Sequence, residues 1–199
     1  MDKNIISGGT LRAAQSVPPS QPASLDPRQD LALSEWRRLS KNGKPPRRAD
    51  FRPERITRAL PVSTLIGVER DGGTVSFCQR IEGKMTRIAF GEHGKKSFDE
   101  RVAPDHLAQA LPAFNEAVRD GRVTLTRVAA HTAGGAPFNF TRLLLPFTDE
   151  KNQVVRVLAV YGFDVDRLVN LRSPLRMSQK AAVAGMHPAE QAYLRLRTA

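Results

Sequence analysis

The segments FNFTRLLLPF (residues 138–147) and VVRVLAVYGF (154–163), joined by TDEKNQ (148–153), decide the architecture of this chain. The joining residues are all polar turn formers. On both sides of them β-branched, aromatic and aliphatic residues follow one another too closely to leave one strand face wet. The pair therefore reads as a hairpin, Phe138 to Phe147 against Val154 to Phe163, buried on both faces and central in a sheet.

Outward from that hairpin further strand signals recur. Val62 to Glu69 and Thr74 to Glu82 read as strands around Arg70-Asp71-Gly72-Gly73, because Asp-Gly suits the left-handed positions of a tight turn. Val123 to His131 gives a fifth strand. Between the strand groups the spacing turns helical: a fragment over Met85 to Phe90, the loop Gly91 to Lys96, a capping pattern of Ser97 with Glu100, and a longer helix from Pro104 to Asp120 on Leu107, Leu111, Phe114 and Val118. Pro112 inside it predicts a kink or two abutting helices, since proline removes a donor and clashes one turn back.

Upstream, Pro27 to Lys41 reads as a leader helix, with Asp26 to cap it, Pro27 in its first turn and Gly43 to stop it. Its apolar stripe of Leu33, Trp36 and Leu39 is narrow and must dock on its own sheet or on a second subunit. An extended connector from Lys44 leads to a helix of about two turns starting at Pro53. The expected division is a disordered arm over 1–24, a basic leader and connector over 25–60, a sheet domain over 61–165 and a basic tail over 166–199. Met186, Ala189, Tyr193 and Leu196 give that tail one face of a final helix, ended by Arg195 and Arg197.

Composition bounds the function. With 199 residues and 40% hydrophobic content the chain suits one ordinary core with appendages. No apolar run approaches a membrane span, and residues 1–16 have Lys3 but no apolar segment or cleavage site, so a cytoplasmic protein without membrane contact is expected. A lone Cys78 excludes an internal disulfide and a cysteine-built zinc site. The net charge of +11 is the outlier. Nine cations, among them Arg37, Arg38, Lys41, Lys44, Arg47 and Arg48, crowd Ser34 to Leu60 and a second excess follows Arg167. A solvated basic surface is the plain reading; nucleic acid or an anionic nucleotide is the alternative partner.

The order β-β, short helices, longer helix, β-β-β resembles the PAS arrangement. More specifically, the chain is similar to a divergent PAS-like family common in alphaproteobacteria. The matching residues are Trp36 and Arg37, then Gly43, Pro46, Arg48, Asp50 and Pro53, then Phe77 with Arg80-Ile81-Glu82-Gly83, Phe90-Gly91, and above all Arg142 to Phe147. Lys84 stands where the family has Thr or Ser, and the Gly91 to Lys96 loop is short. The resemblance implies an α+β fold: a five-stranded antiparallel sheet with short helices and one longer helix over one face, a leader helix and a basic tail helix. It also implies a non-enzymatic sensory and regulatory module acting through protein contacts. The implied partners are a second copy of the chain in a homodimer and a histidine kinase or response regulator.

Candidate site residues follow from that arrangement. Phe77, Met85, Phe90, Leu111, Phe114 and Leu158 are expected between sheet and helices, and Leu33, Trp36 and Leu39 at an interface. No cofactor is expected: Cys78 lacks the sequence context of flavin-binding light sensors, and His106 at a helix start reads as a surface group rather than a haem ligand. His93, His131 and His187 have no metal-ligand spacing, and no nucleophile motif or phosphate-cradling loop is present.

Overall fold

A computed structural model describes residues 25–91, 97–98, 104–132, 135–171, 176–177 and 184–185. The expected arm, most of the Gly91 to Lys96 loop, Glu100 of the capping pattern and the final tail helix lie outside the described residues.

The leader helix α1 (Pro27–Leu39) is set by its first residues. The Asp26 carboxylate accepts from the Arg28 amide, and the Gln29 side chain accepts from the Asp26 amide in return, a reciprocal cap with Pro27 in the first turn. The helix ends at Ser40, whose amide donates to the carbonyls of Trp36 and Arg37. Gly43 therefore does not stop it, contrary to expectation. Asn42 and Gly43, both left-handed (φ 52° and 69°), instead form a separate tight turn between Lys41 and Lys44. Short 3-10 turns follow at Arg48–Asp50, Pro53–Ile56 and Leu60–Val62. The second, a single turn, replaces the expected two-turn helix.

Strands β1 (Ser63–Asp71) and β2 (Thr74–Glu82) form the first hairpin. Its two-residue loop, Gly72 and Gly73, has both φ angles positive (52° and 87°), the condition for a turn that matches strand twist. Helices α2 (Lys84–Phe90) and α3 (Pro104–Asp120) come next. Helix α3 runs through Pro112 as one element, not two. Pro112 lies on the solvent side, where the carbonyl it deprives of a partner can face water.

The expected fifth strand divides into β3 (Thr124–Val128) and β4 (Ala130–His131), with Ala129 between them. The central hairpin is β5 (Phe140–Thr148) and β6 (Val154–Gly162), followed by the short helix α4 (Val165–Val169), β7 (Arg176–Met177) and β8 (Ala184–Gly185). The sheet is antiparallel in the order β2-β1-β6-β5-β3, with β8 outside β3, while β4 pairs with β7 apart from it. The hairpin picked out by its sequence is thus the sheet's interior pair.

Register assigns the two faces. Arg142, Leu144, Tyr161 and Ala159 share one face with Thr124 and Thr126; Leu143, Leu145, Val160 and Leu158 share the other with Ser63 and Leu65. Helices α2 and α3 cover the first face through Phe90 and Phe114. The leader covers the second: Gln29 Nε2 donates to the Val160 carbonyl at 2.9 Å, and Phe51 of the connector packs on Phe147 at 4.9 Å between ring centroids. Coverage from both sides explains why neither strand of the central hairpin alternates polar with apolar residues.

Candidate functional site

The face under α2 and α3 carries two aromatic groups. Phe77 from β2, Phe98 and Phe114 from α3 lie within 5.2 to 5.8 Å of one another. Phe90 at the end of α2 meets Phe140, Tyr161 and Phe163, with Tyr161 and Phe163 stacked at 5.3 Å. Both groups are ordinary apolar packing with the offset geometries that aromatic quadrupoles favour.

Arg142 is the exception to that packing. Strand alternation puts it on the inner face between Phe140 and Leu144, opposite Tyr161 on β6 and Thr126 on β3. The residue is 6% exposed, and its guanidinium lies over the Phe114 ring, 5.0 Å from the centroid. Its Nε and Nη2 are buried and have no hydrogen-bond partner, and the same holds for the hydroxyl of Thr124 on the same face. Burial pushes the Arg142 pKa down from the ordinary arginine value. Arginine nevertheless stays cationic in a protein.

The ring contact offsets only part of the desolvation of such a cation, about 0.5 to 2 kcal/mol against a penalty of several. Leu107 and Leu111 of α3 are half-buried, as is Phe90 of α2, against the full burial of Ala113, Phe114 and Ala117.

The structure brings some of the residues singled out by sequence together and separates others. Phe77 and Phe114 touch, and Phe90 and Leu111 lie at the half-buried margin of the same face. Met85 is half-buried on α2. Leu158 belongs to the opposite face, opposite Leu65 and Leu145, because it is one residue out of phase with Ala159. Leu33 and Trp36 are buried within their own chain, and Leu39 is half-buried beside them. Cys78 is half-buried on β2, and His131 lies on β4; His93 and His187 lie outside the described residues. Among the described residues no group of histidine, cysteine or acidic side chains could hold a metal ion, and no helix is long and apolar enough to cross a membrane.

A second feature is a groove of about 770 Å³ at the far end of the sheet, between the two hairpin turns and the end of α3. Lys44, Arg70, Arg119 and Asp120 line it with Pro45 and Val118. It does not include Arg142.

A twisted antiparallel sheet of five main strands, with helices across one face and an N-terminal helix across the other, defines an α+β module of the sensory and regulatory class. Residues 26–162 match the family model described as PAS domain (PAS_5), and the chain belongs to that family. Among curated proteins no relative matches it.

Proposed function

We propose that this PAS domain is a cytoplasmic, non-enzymatic sensor that alters the activity of a histidine kinase or response regulator by direct contact. The observation that carries the reading is the inner-face cation: Arg142 is a buried charged group whose Nε and Nη2 the fold leaves unpaired, in a family of sensory modules. The packing around Arg142 is aromatic and aliphatic with a few buried threonines, and among the described residues beside it, Phe114, Thr124, Thr126 and Tyr161, there is no paired acid and base. Leu33 and Trp36 are buried within the chain, which supports a contact with a second copy or a signalling partner made through the exposed surface.

Phosphotransfer profiling tests the reading. The purified chain, added to the kinases and response regulators of its host, is expected to change the phosphorylation rate of one pair. Unchanged rates across the whole set would refute it.

The exposed cations of the connector support a second reading, the binding of an anionic polymer. Lys41, Lys44, Arg47, Arg52 and Arg58 are exposed. Binding of a DNA or RNA homopolymer at low salt, lost steeply as salt rises, is its signature. Absence of binding at low salt removes it.

A further inference from the structure

Three arginines of this molecule show the carboxylate geometry that Arg142 could offer a ligand. Arg28 directs Nε and Nη2 at the carboxylate of Asp26, Arg38 directs the same two atoms at Glu35, and Arg119 directs them at Asp120. In each case the Nε–Nη2 edge of the guanidinium meets both carboxylate oxygens. Arg142 buries that same pair of atoms on the inner face without a partner.

We propose that the inner face binds a small organic monocarboxylate, held side-on by Nε and Nη2 of Arg142, with its apolar body against Phe114 and the half-buried margin of α2 and α3. This rests on the sensory reading above and names its ligand class. One buried cation balances one negative charge. Among the described residues the groups flanking Arg142 on the inner face, Thr124, Thr126 and Tyr161, bring no second positive charge. A dianion such as phosphate would leave half its charge uncompensated in a low-dielectric site. The unpaired Thr124 hydroxyl gives a further polar contact on that face. Aromatic walls favour a ligand with an apolar body over a bare anion.

Thermal unfolding of the full chain with acetate, butyrate, benzoate, phenylacetate, benzamide and inorganic phosphate tests this. Wild type is compared with Arg142→Met, which keeps the volume and removes the charge, and with Arg142→Lys, which keeps the charge and loses the fork. At least one carboxylate is expected to raise the melting temperature of wild type while benzamide does not. Calorimetric affinity for it is expected to fall about tenfold or more in both variants, with Arg142→Met no less stable than wild type in its absence.

No stabilisation by any carboxylate, equal stabilisation of Arg142→Met, or a preference for phosphate would each overturn the proposal. So would a large loss of stability in Arg142→Met without ligand, since it would show the guanidinium already satisfied by the fold. A carboxylate that binds through Arg142 yet leaves phosphotransfer unchanged would keep this site and remove the signalling reading, so the two fail separately.

Discussion

The indole Nε1 of Trp36 donates to the main-chain carbonyl of Pro146 at 2.7 Å, tying the leader helix to the turn end of the central hairpin. Pro146 has no amide of its own to give the sheet, and its carbonyl is claimed from outside. Trp36 is 3% exposed. Truncation to alanine removes both the hydrogen bond and a large buried ring, and is expected to cost about 3 to 5 kcal/mol. Trp36→Phe keeps much of the ring and isolates the hydrogen bond, at about 1 to 2 kcal/mol. Urea unfolding of the two variants measures both, and an unchanged midpoint for Trp36→Ala would show that the leader does not dock.

Gln29 joins the helix cap to the sheet. Its Nε2 donates to the Val160 carbonyl, and its Oε1 accepts from the Thr141 hydroxyl at 3.0 Å as well as from the Asp26 amide. Gln29→Met keeps the volume but leaves the buried Val160 carbonyl and the half-buried Thr141 and Asp26 groups without this partner, so a loss of about 1 to 3 kcal/mol is expected. Hydrogen exchange should then quicken in α1 before it quickens in β5 and β6.

Glu35 makes stability depend on acid. The Arg38 guanidinium, hydrogen-bonded to it, holds its carboxyl below the usual glutamate range, and Arg55 stands 3.8 Å away. A folded-state pKa below the unfolded one means that the contribution is present above the unfolded value and is lost as pH falls through the folded value. Stability should therefore drop below about pH 4, and Glu35→Gln should flatten part of that drop. Parallel pH curves for wild type and Glu35→Gln in chemical denaturation would contradict this.

Gly83, in the Arg80 to Gly83 stretch that resembles the family pattern, is held by space rather than by backbone angle, since its φ is −72°. A β-carbon there would come within 2.3 to 2.4 Å of the Leu60 and Pro61 carbonyl oxygens, neither of which can swing aside. Gly83→Ala is expected to lose about 1 to 3 kcal/mol in thermal unfolding. Gly72→Ala, where nothing lies within 4 Å but φ is +52°, should lose about 1 kcal/mol from backbone strain alone.

Much of the fold was legible because the central strands lack alternation and the Asp71-Gly72-Gly73 turn carries its own signature. The cap at Asp26 and Pro27 was legible for the same local reason. What the sequence withheld was mostly a matter of phase and of contacts distant in the chain. Leu158 and Ala159 lie in one apolar run, and only the register with Leu145 tells which faces the helices. The end of α1 depended on Ser40, a residue without a strong stop signal, while Gly43 served a different turn. Arg142 was visible as the head of the Arg142 to Phe147 motif, yet its role was missed. The signal was available: a charged residue two places from Phe140 and two from Leu144, in a strand covered on both sides, has nowhere to go but inside.

The family-matched segment begins at Asp26 and ends at Gly162, and these two places are neighbours. Arg28 Nη2 donates to the Phe163 carbonyl at 2.7 Å, and a β-carbon on Gly162 would stand 3.2 Å from that of Asp26. The module is therefore a closed loop of chain with a common doorway, able to be carried inside another protein as an inserted cassette without forcing its host apart. Tension or torsion applied by whatever flanks it would arrive at the foot of α1 and the exit of β6 together.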